Sequence, residues 1–321
     1  MRALVVDEKG GLALREDAPK PQPAGGEALI RVILAGICRT DQELVGGYKG
    51  FRGVLGHEFI GVVEAVADGA SDLVGSRVVG EINHGCGRCD TCLKGEGGHC
   101  AQRRVLGIHG WDGALADYCV MPVENLHRVP SGVRDEQAVF VEPLAAALEI
   151  LDRIHLRPSD KVTVIGDGKL GGLIVRVLRL SGCQLQVVGR HTHKLQTLAP
   201  LGVDVLMAEE AEDLPPSDVV VECSGSASGL TLAQKLVQPR GKIILKSTFR
   251  ALSEISFTDL VVGEVTLAGS RCGPFAPALR LLAQGLVAVD SLIEEVYGLD
   301  QGLAAFKKAG KKGALKVLVK P

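Results

Sequence analysis

Val162-Thr-Val-Ile-Gly166-Asp-Gly168-Lys-Leu-Gly171 is a short β-branched run that enters a glycine-rich turn and leaves it as an apolar helix. The first glycine permits the tight turn, and the second lets backbone approach a pyrophosphate. The third allows helix to pack closely on strand. The helix start adds free N–H groups and a positive dipole end, which suit an anion. A lone glycine motif says little, but a strand before it and a helix after it make this one specific. Around it, β-rich runs (162–165, 185–188, 219–222, 242–245) alternate with helical ones (170–180, 194–201, 230–236). Strand-helix-strand order of this kind predicts an α/β unit, a parallel sheet covered by helices. Gly166, Gly168, Lys169, Leu170 and Gly171 are its expected contacts with a dinucleotide.

The group that holds the adenosine ribose belongs about 20 positions further on, at the end of the second strand. There the chain reads Leu185-Gln-Val-Val-Gly189-Arg190-His191, with neither Asp nor Glu to accept from a ribose 2′-OH. Gly189 leaves room and Arg190 supplies a planar cation, a pairing that suits a 2′-phosphate. Gly189, Arg190 and His191 complete the expected coenzyme residues, and the reading favours NADP(H) over NAD(H).

Upstream the pattern differs. Short apolar runs at 28–34, 61–66, 77–80 and 116–122, punctuated by Gly, Pro and Asn, predict a partly antiparallel, barrel-like region. No helical period of any length is evident before about residue 134, and the first clear one covers 143–153. The final fifty residues offer helices at 276–284 and 300–308 and a strand at 314–319.

Nine cysteines are present, and four of them form Cys86-x2-Cys89-x2-Cys92-x7-Cys100. Four soft thiolates in so short a segment complete a closed tetrahedral zinc site with no open position, hence a structural one, in a lobe at about 84–101. A second group is mixed. Cys38-Arg-Thr40-Asp41 follows a strand, Gly56-His57-Glu58-x2-Gly61 comes later, and Glu142-Pro143 closes the region. Thiolate, imidazole and carboxylate together are the incomplete set of a catalytic zinc that keeps room for water or substrate.

Taken in order, these segments resemble the zinc-dependent medium-chain dehydrogenase/reductases, the alcohol and polyol dehydrogenase family, along nearly the whole chain. The resemblance implies an α/β protein with a GroES-like β-rich catalytic domain over 1–142 and 271–321, interrupted by a Rossmann domain, a doubly wound parallel sheet that binds the dinucleotide, over 143–270. It makes Cys38 and His57 zinc ligands, with Glu58 or Glu142 as the third. Asp41 then stands behind the metal, and Thr40 hydrogen-bonds the reacting oxygen and passes its proton outward. Zinc acts as Lewis acid while hydride moves between the carbinol carbon and the nicotinamide. The implied partners are a small alcohol or carbonyl substrate and further copies of the chain, as a homodimer or homotetramer. Many relatives carry histidine five residues after the zinc cysteine, where this chain has Glu43. Tyr48, Phe51 and Trp111 are candidates for the substrate pocket.

Composition bounds the alternatives. The 321 residues suffice for two domains, and 36 Lys and Arg against 38 Asp and Glu leave a formal charge of −2. No excess of positive charge is available for nucleic acid or an anionic membrane, and no apolar stretch reaches a membrane span. The start, with Asp7 and Glu8 directly after a short apolar run, reads as a first strand of a cytoplasmic protein. Two readings compete with an NADP(H)-linked enzyme: an NAD-dependent polyol or sugar dehydrogenase, and a non-catalytic nucleotide-binding sensor or scaffold.

Overall fold

A computed structural model describes residues 1–69, 71–248 and 254–321. It divides into two units, Met1–Glu142 with Phe275–Pro321, and Pro143–Pro274. The return point lies slightly beyond the expected 271. Gly273 sits where a side chain would strike the Ala145 carbonyl, and the buried Lys246 donates to the Arg271 carbonyl, so residues 271–274 stay with the second unit.

In the first unit the ten-residue strand Glu27–Gly36 is the organising element. It pairs antiparallel with Glu58–Val66 on one side and with Lys316–Lys320 on the other, and also with Tyr118–Pro122. Register shifts at Leu29/Ile30 and Val32/Leu34 bend it, as bulges do. Lys316–Lys320 then runs parallel to Ile293–Gly298, which places the late strand inside the sheet. Ile30, Ile60 and Leu318 are fully buried along these strands. Helix Phe275–Ala283 buries Phe275, Ala278, Leu279 and Leu282, the i, i+3, i+4, i+7 stripe of a core-facing helix.

The second unit holds a six-stranded, all-parallel sheet. In spatial order it runs Asp204–Met207, Gln184–Gly189, Lys161–Ile165, Ser217–Glu222, Val237–Leu245 and Thr266–Gly269. In chain order that is 3-2-1-4-5-6, the Rossmann arrangement. Central strands such as Lys161–Ile165 are buried almost throughout, as a sheet covered on both faces requires.

Among the described residues, five strands of three or more residues went unforeseen: Leu12–Arg15, Leu126–Arg128, Asp204–Met207, Thr266–Gly269 and Ile293–Gly298. All lie at sheet edges and are largely exposed or half-buried, so they need no apolar run to announce them. Helix Arg39–Val45, within the region expected to lack helices, spans seven residues, too few to show a period. Among the described residues no helix is long and apolar enough to cross a membrane.

Candidate active site

Cys38 emerges two residues beyond strand Glu27–Gly36 and forms the N-cap of helix Arg39–Val45. His57 immediately precedes strand Glu58–Val66, whose first residue is registered against Gly36. That pairing brings ligand atoms of Cys38, His57 and Glu58 within 4.8 Å of one another. Gly56 turns the chain into the site with φ +98°, and a Cβ there would meet the Leu115 nitrogen at 2.6 Å, so only glycine fits.

Asp41, fully buried, organises the group. Its Oδ2 accepts from the Cys38 backbone N–H at 2.7 Å and so caps the helix. Its Oδ1 lies 3.2 Å from His57 Nδ1 and accepts from the Gly56 N–H at 3.3 Å. Nδ1 faces that carboxylate without a formed hydrogen bond, a carboxylate–imidazole placement that orients the ring in many metal sites. Burial opposes a charge on His57, but the Asp41 carboxylate and the Cys38 sulfur outweigh it and raise its pKa well above the ordinary imidazole value. Thiolate, imidazole and carboxylate brought together in this way are suitable zinc donors. Thr40 Oγ1 lies 3.7 Å from the Cys38 sulfur.

Lys316, from the late strand, is a residue that the sequence did not single out. Its ammonium is 2% exposed and pairs with Glu58, itself 1% exposed. Burial works against that charge, and Glu58, Cys38 and Glu142 together more than offset it. Glu142, half-buried in the first turn of helix Val141–Arg153, thus acts on Lys316 but stands outside the three-residue donor cluster. Gly36 makes the space: a Cβ there would lie 2.5 Å from Glu58 Oε2 and 3.3 Å from the Lys316 chain. A lysine in an apolar strand normally marks a solvated edge, so no local signal pointed to it.

The four lobe cysteines also converge, with all donor atoms within 4.8 Å of one another. Backbone N–H groups of Arg88 and Cys89 bring Cys86 down to about 6, while burial lifts Cys92 to about 11. Gly85 is required because a Cβ would touch the Cys92 sulfur at 2.6 Å. Four mutually close sulfurs fit one tetrahedral ion and leave it no free position.

In the second unit, Gly166 has φ +129°, and a Cβ would meet the Cys223 backbone at 2.8 Å. A Cβ on Gly171 would strike the Gly166 carbonyl. At Gly168, the N-cap of helix Lys169–Leu178, the same position faces open space, where a pyrophosphate can approach. Lys169 and Leu170, both half-buried, open that helix. Gly189 ends its strand, and Arg190 is exposed with its guanidinium 2.6 Å from Ser228 Oγ. Asp167, between the first two glycines, was not foreseen as a contributor. Its carboxylate accepts from the backbone N–H groups of Arg190 and His191, both at 2.7 Å, and from the His191 ring.

The aromatic candidates have other engagements. Trp111 donates to the Val120 carbonyl and carries the Arg104 guanidinium over its ring, while Phe51 is almost wholly buried and Lys49 sits over Tyr48. Glu43 is paired with Arg39 one turn earlier.

Two known domain families match this chain: the alcohol dehydrogenase GroES-like domain over residues 24–131 and the zinc-binding dehydrogenase domain over 170–284. A sorbitol dehydrogenase of Halalkalibacterium halodurans is 29% identical, with 100% of this chain and 99% of the relative aligned. A zinc-binding dehydrogenase of Sinorhizobium meliloti 1021 bound to NADP superposes with TM-score 0.92 at 27% identity, covering 100% and 99% of the two chains. An alcohol dehydrogenase of Escherichia coli CFT073 complexed with NADH gives 0.92 at 28%, with the same coverage.

Proposed function

Because this chain belongs to the zinc-dependent medium-chain dehydrogenase/reductases and is an oxidoreductase, we propose that it moves a hydride between a small alcohol or carbonyl substrate and NADP(H). The convergence of Cys38, His57 and Glu58 donors in one buried pocket is the observation that carries the reaction class. When bound, zinc supplies Lewis acidity at neutral pH and the nicotinamide accepts or gives the hydride.

The chain's residues do the rest. Cys38, His57 and Glu58 hold the catalytic metal, and Asp41 orients His57 from behind. We favour Glu58 over Glu142 as third ligand, since only Glu58 falls within the donor cluster. Lys316 draws on the same carboxylate, so Glu58 serves metal and lysine together. Thr40 hydrogen-bonds the reacting oxygen and passes its proton outward. Glu43, held by Arg39, takes the place of the usual outer histidine, so the proton leaves through water. Cys86, Cys89, Cys92 and Cys100 hold a second, structural zinc.

The NADP(H) reading rests on Gly189 and Arg190: a strand end without an acid, beside an exposed guanidinium. A second reading, NAD-dependent polyol oxidation, is favoured by the likeness to the sorbitol dehydrogenase. We further propose a cytoplasmic homo-oligomer. Edge strand Thr266–Gly269 and the neighbouring helix Phe257–Val262, with Phe257, Val261 and Val262 73–80% exposed, form its contact face.

Thermal-shift titration with NADP+ and with NAD+ separates the coenzyme readings. A ligand at a hundred times its Kd adds about 2.7 kcal/mol of apparent stability. Stabilisation by NADP+ at lower concentration than NAD+, abolished by Arg190→Ala, supports NADP(H), and the reverse order promotes the polyol reading. A metal-loaded protein that binds neither coenzyme overturns the proposal.

A further inference from the structure

Asp167 lies inside the glycine-rich turn, yet its carboxylate is spent at the far end of the neighbouring strand. A Cβ built on Gly189 would lie 2.7 Å from both the Cβ and Oδ2 of Asp167. Asp167 therefore occupies the volume that a side chain at 189 would need. Its oxygens are already committed. Oδ2 takes the N–H groups of Arg190 and His191, His191 Nδ1 lies within 3.0 Å of both oxygens, and the buried Lys194 ammonium stands 3.8 Å away. With Asp167 only 8% exposed, little acceptor capacity remains for a ribose hydroxyl.

The charges add up in one direction. Asp167 and Lys194 offset each other below the surface. Arg190 remains outside, steadied by Ser228 at the end of a row of hydroxyls, Ser224, Ser226 and Ser228, whose oxygens lie 2.9 and 3.1 Å apart in sequence. A corner carrying an exposed guanidinium and hydroxyl donors, with its one carboxylate turned inward, suits an anionic group on the ribose.

We propose that Asp167 sets the coenzyme choice of this chain. It excludes a carboxylate from position 189 and fastens the Gly189–His191 corner so that the adenosine ribose meets Arg190. This inference rests on the NADP(H) reading above. It makes residues 167 and 189 a coupled pair: an acid can stand in one place or the other, not both.

Dissociation constants for NADP+ and NAD+, measured on the zinc-loaded full chain, test it with four variants: Gly189→Ala, Gly189→Asp, Asp167→Ser and the double variant D167S/G189D. Melting curves confirm that each variant is folded. Gly189→Asp alone is expected to weaken both coenzymes at least tenfold, and Gly189→Ala, which adds only a methyl group, to do so more mildly. Asp167→Ser should weaken NADP+ about tenfold by releasing the corner. The double variant should recover NAD+ at least tenfold over G189D while NADP+ stays weak. Should G189D bind NAD+ as tightly as the double variant, or Asp167→Ser leave both constants within twofold, the role of Asp167 is overturned. Wild-type protein that prefers NAD+ overturns the NADP(H) reading instead, and the ratio of double to single variants still decides the role of Asp167.

Discussion

Asp41 shows how much one buried carboxylate can organise. It caps helix Arg39–Val45, braces Gly56 and faces His57, so two sequence segments depend on it for their geometry. Asp41→Asn keeps the size but loses the charge that orients the imidazole. Zinc affinity or kcat/KM is expected to fall about 10- to 100-fold, the usual effect of removing such a partner, which metal analysis and steady-state kinetics will read directly. Lys316 is the complementary case. Lys316→Met leaves Glu58 buried without its counter-charge, and breaking such a pair costs about 3–5 kcal/mol. Urea denaturation of the zinc-stripped protein should show that loss, and a smaller one after zinc is restored, because the metal supplies positive charge to the same carboxylate. Asp41 was legible through the family resemblance of the Cys38-Arg-Thr40-Asp41 segment. Lys316 was not, because its role arises from a strand pairing 258 residues away from Glu58.

At the scale of elements, the lobe that carries Cys86, Cys89, Cys92 and Cys100 has little else to hold it. Its one named sheet is the two-residue pair Asn83–His84 with Arg104–Val105, and Leu93 is 73% exposed. Cys92→Ser should therefore remove one zinc per chain and lower Tm by several degrees. Turnover at low temperature should survive, since the Cys38 group is separate; metal analysis and melting curves check this. The convergence of its four cysteines was readable, because cysteine spacing is a local property. The glycine-rich turn was equally plain, since Gly166 and Gly171 answer to contacts within a few residues and one neighbouring strand, while Gly168 faces open space. Helix Arg39–Val45 and the edge strands escaped notice for a shared reason: they bury too little of themselves to impose a period on their residues.

Among the described residues, helix Phe257–Val262 presents a concentrated apolar surface next to a strand edge that has no partner there. Exposed valines beside an open edge form a surface that a soluble chain usually covers. Val262→Glu is expected to shift the assembly to monomer in light-scattering measurements, and an unchanged mass would place the oligomer contact elsewhere. The change of character near residue 142 was legible because short β-rich runs give way there to alternating strands and helices. How the late strand re-enters the first sheet was not, because pairing between distant strands leaves no local trace. That re-entry also has a meaning in time. Glu58 and Lys316 are separated by 258 residues, and at about 5–20 residues per second of synthesis the lysine follows its carboxylate by about 13–50 s. All six strands of the parallel sheet are made within that interval. The nascent pocket of Cys38, His57 and Glu58 therefore waits, with a carboxylate and no lysine, until the other half of the chain has been built, and a messenger broken between the codons for residues 274 and 316 yields the complete second unit without that lysine.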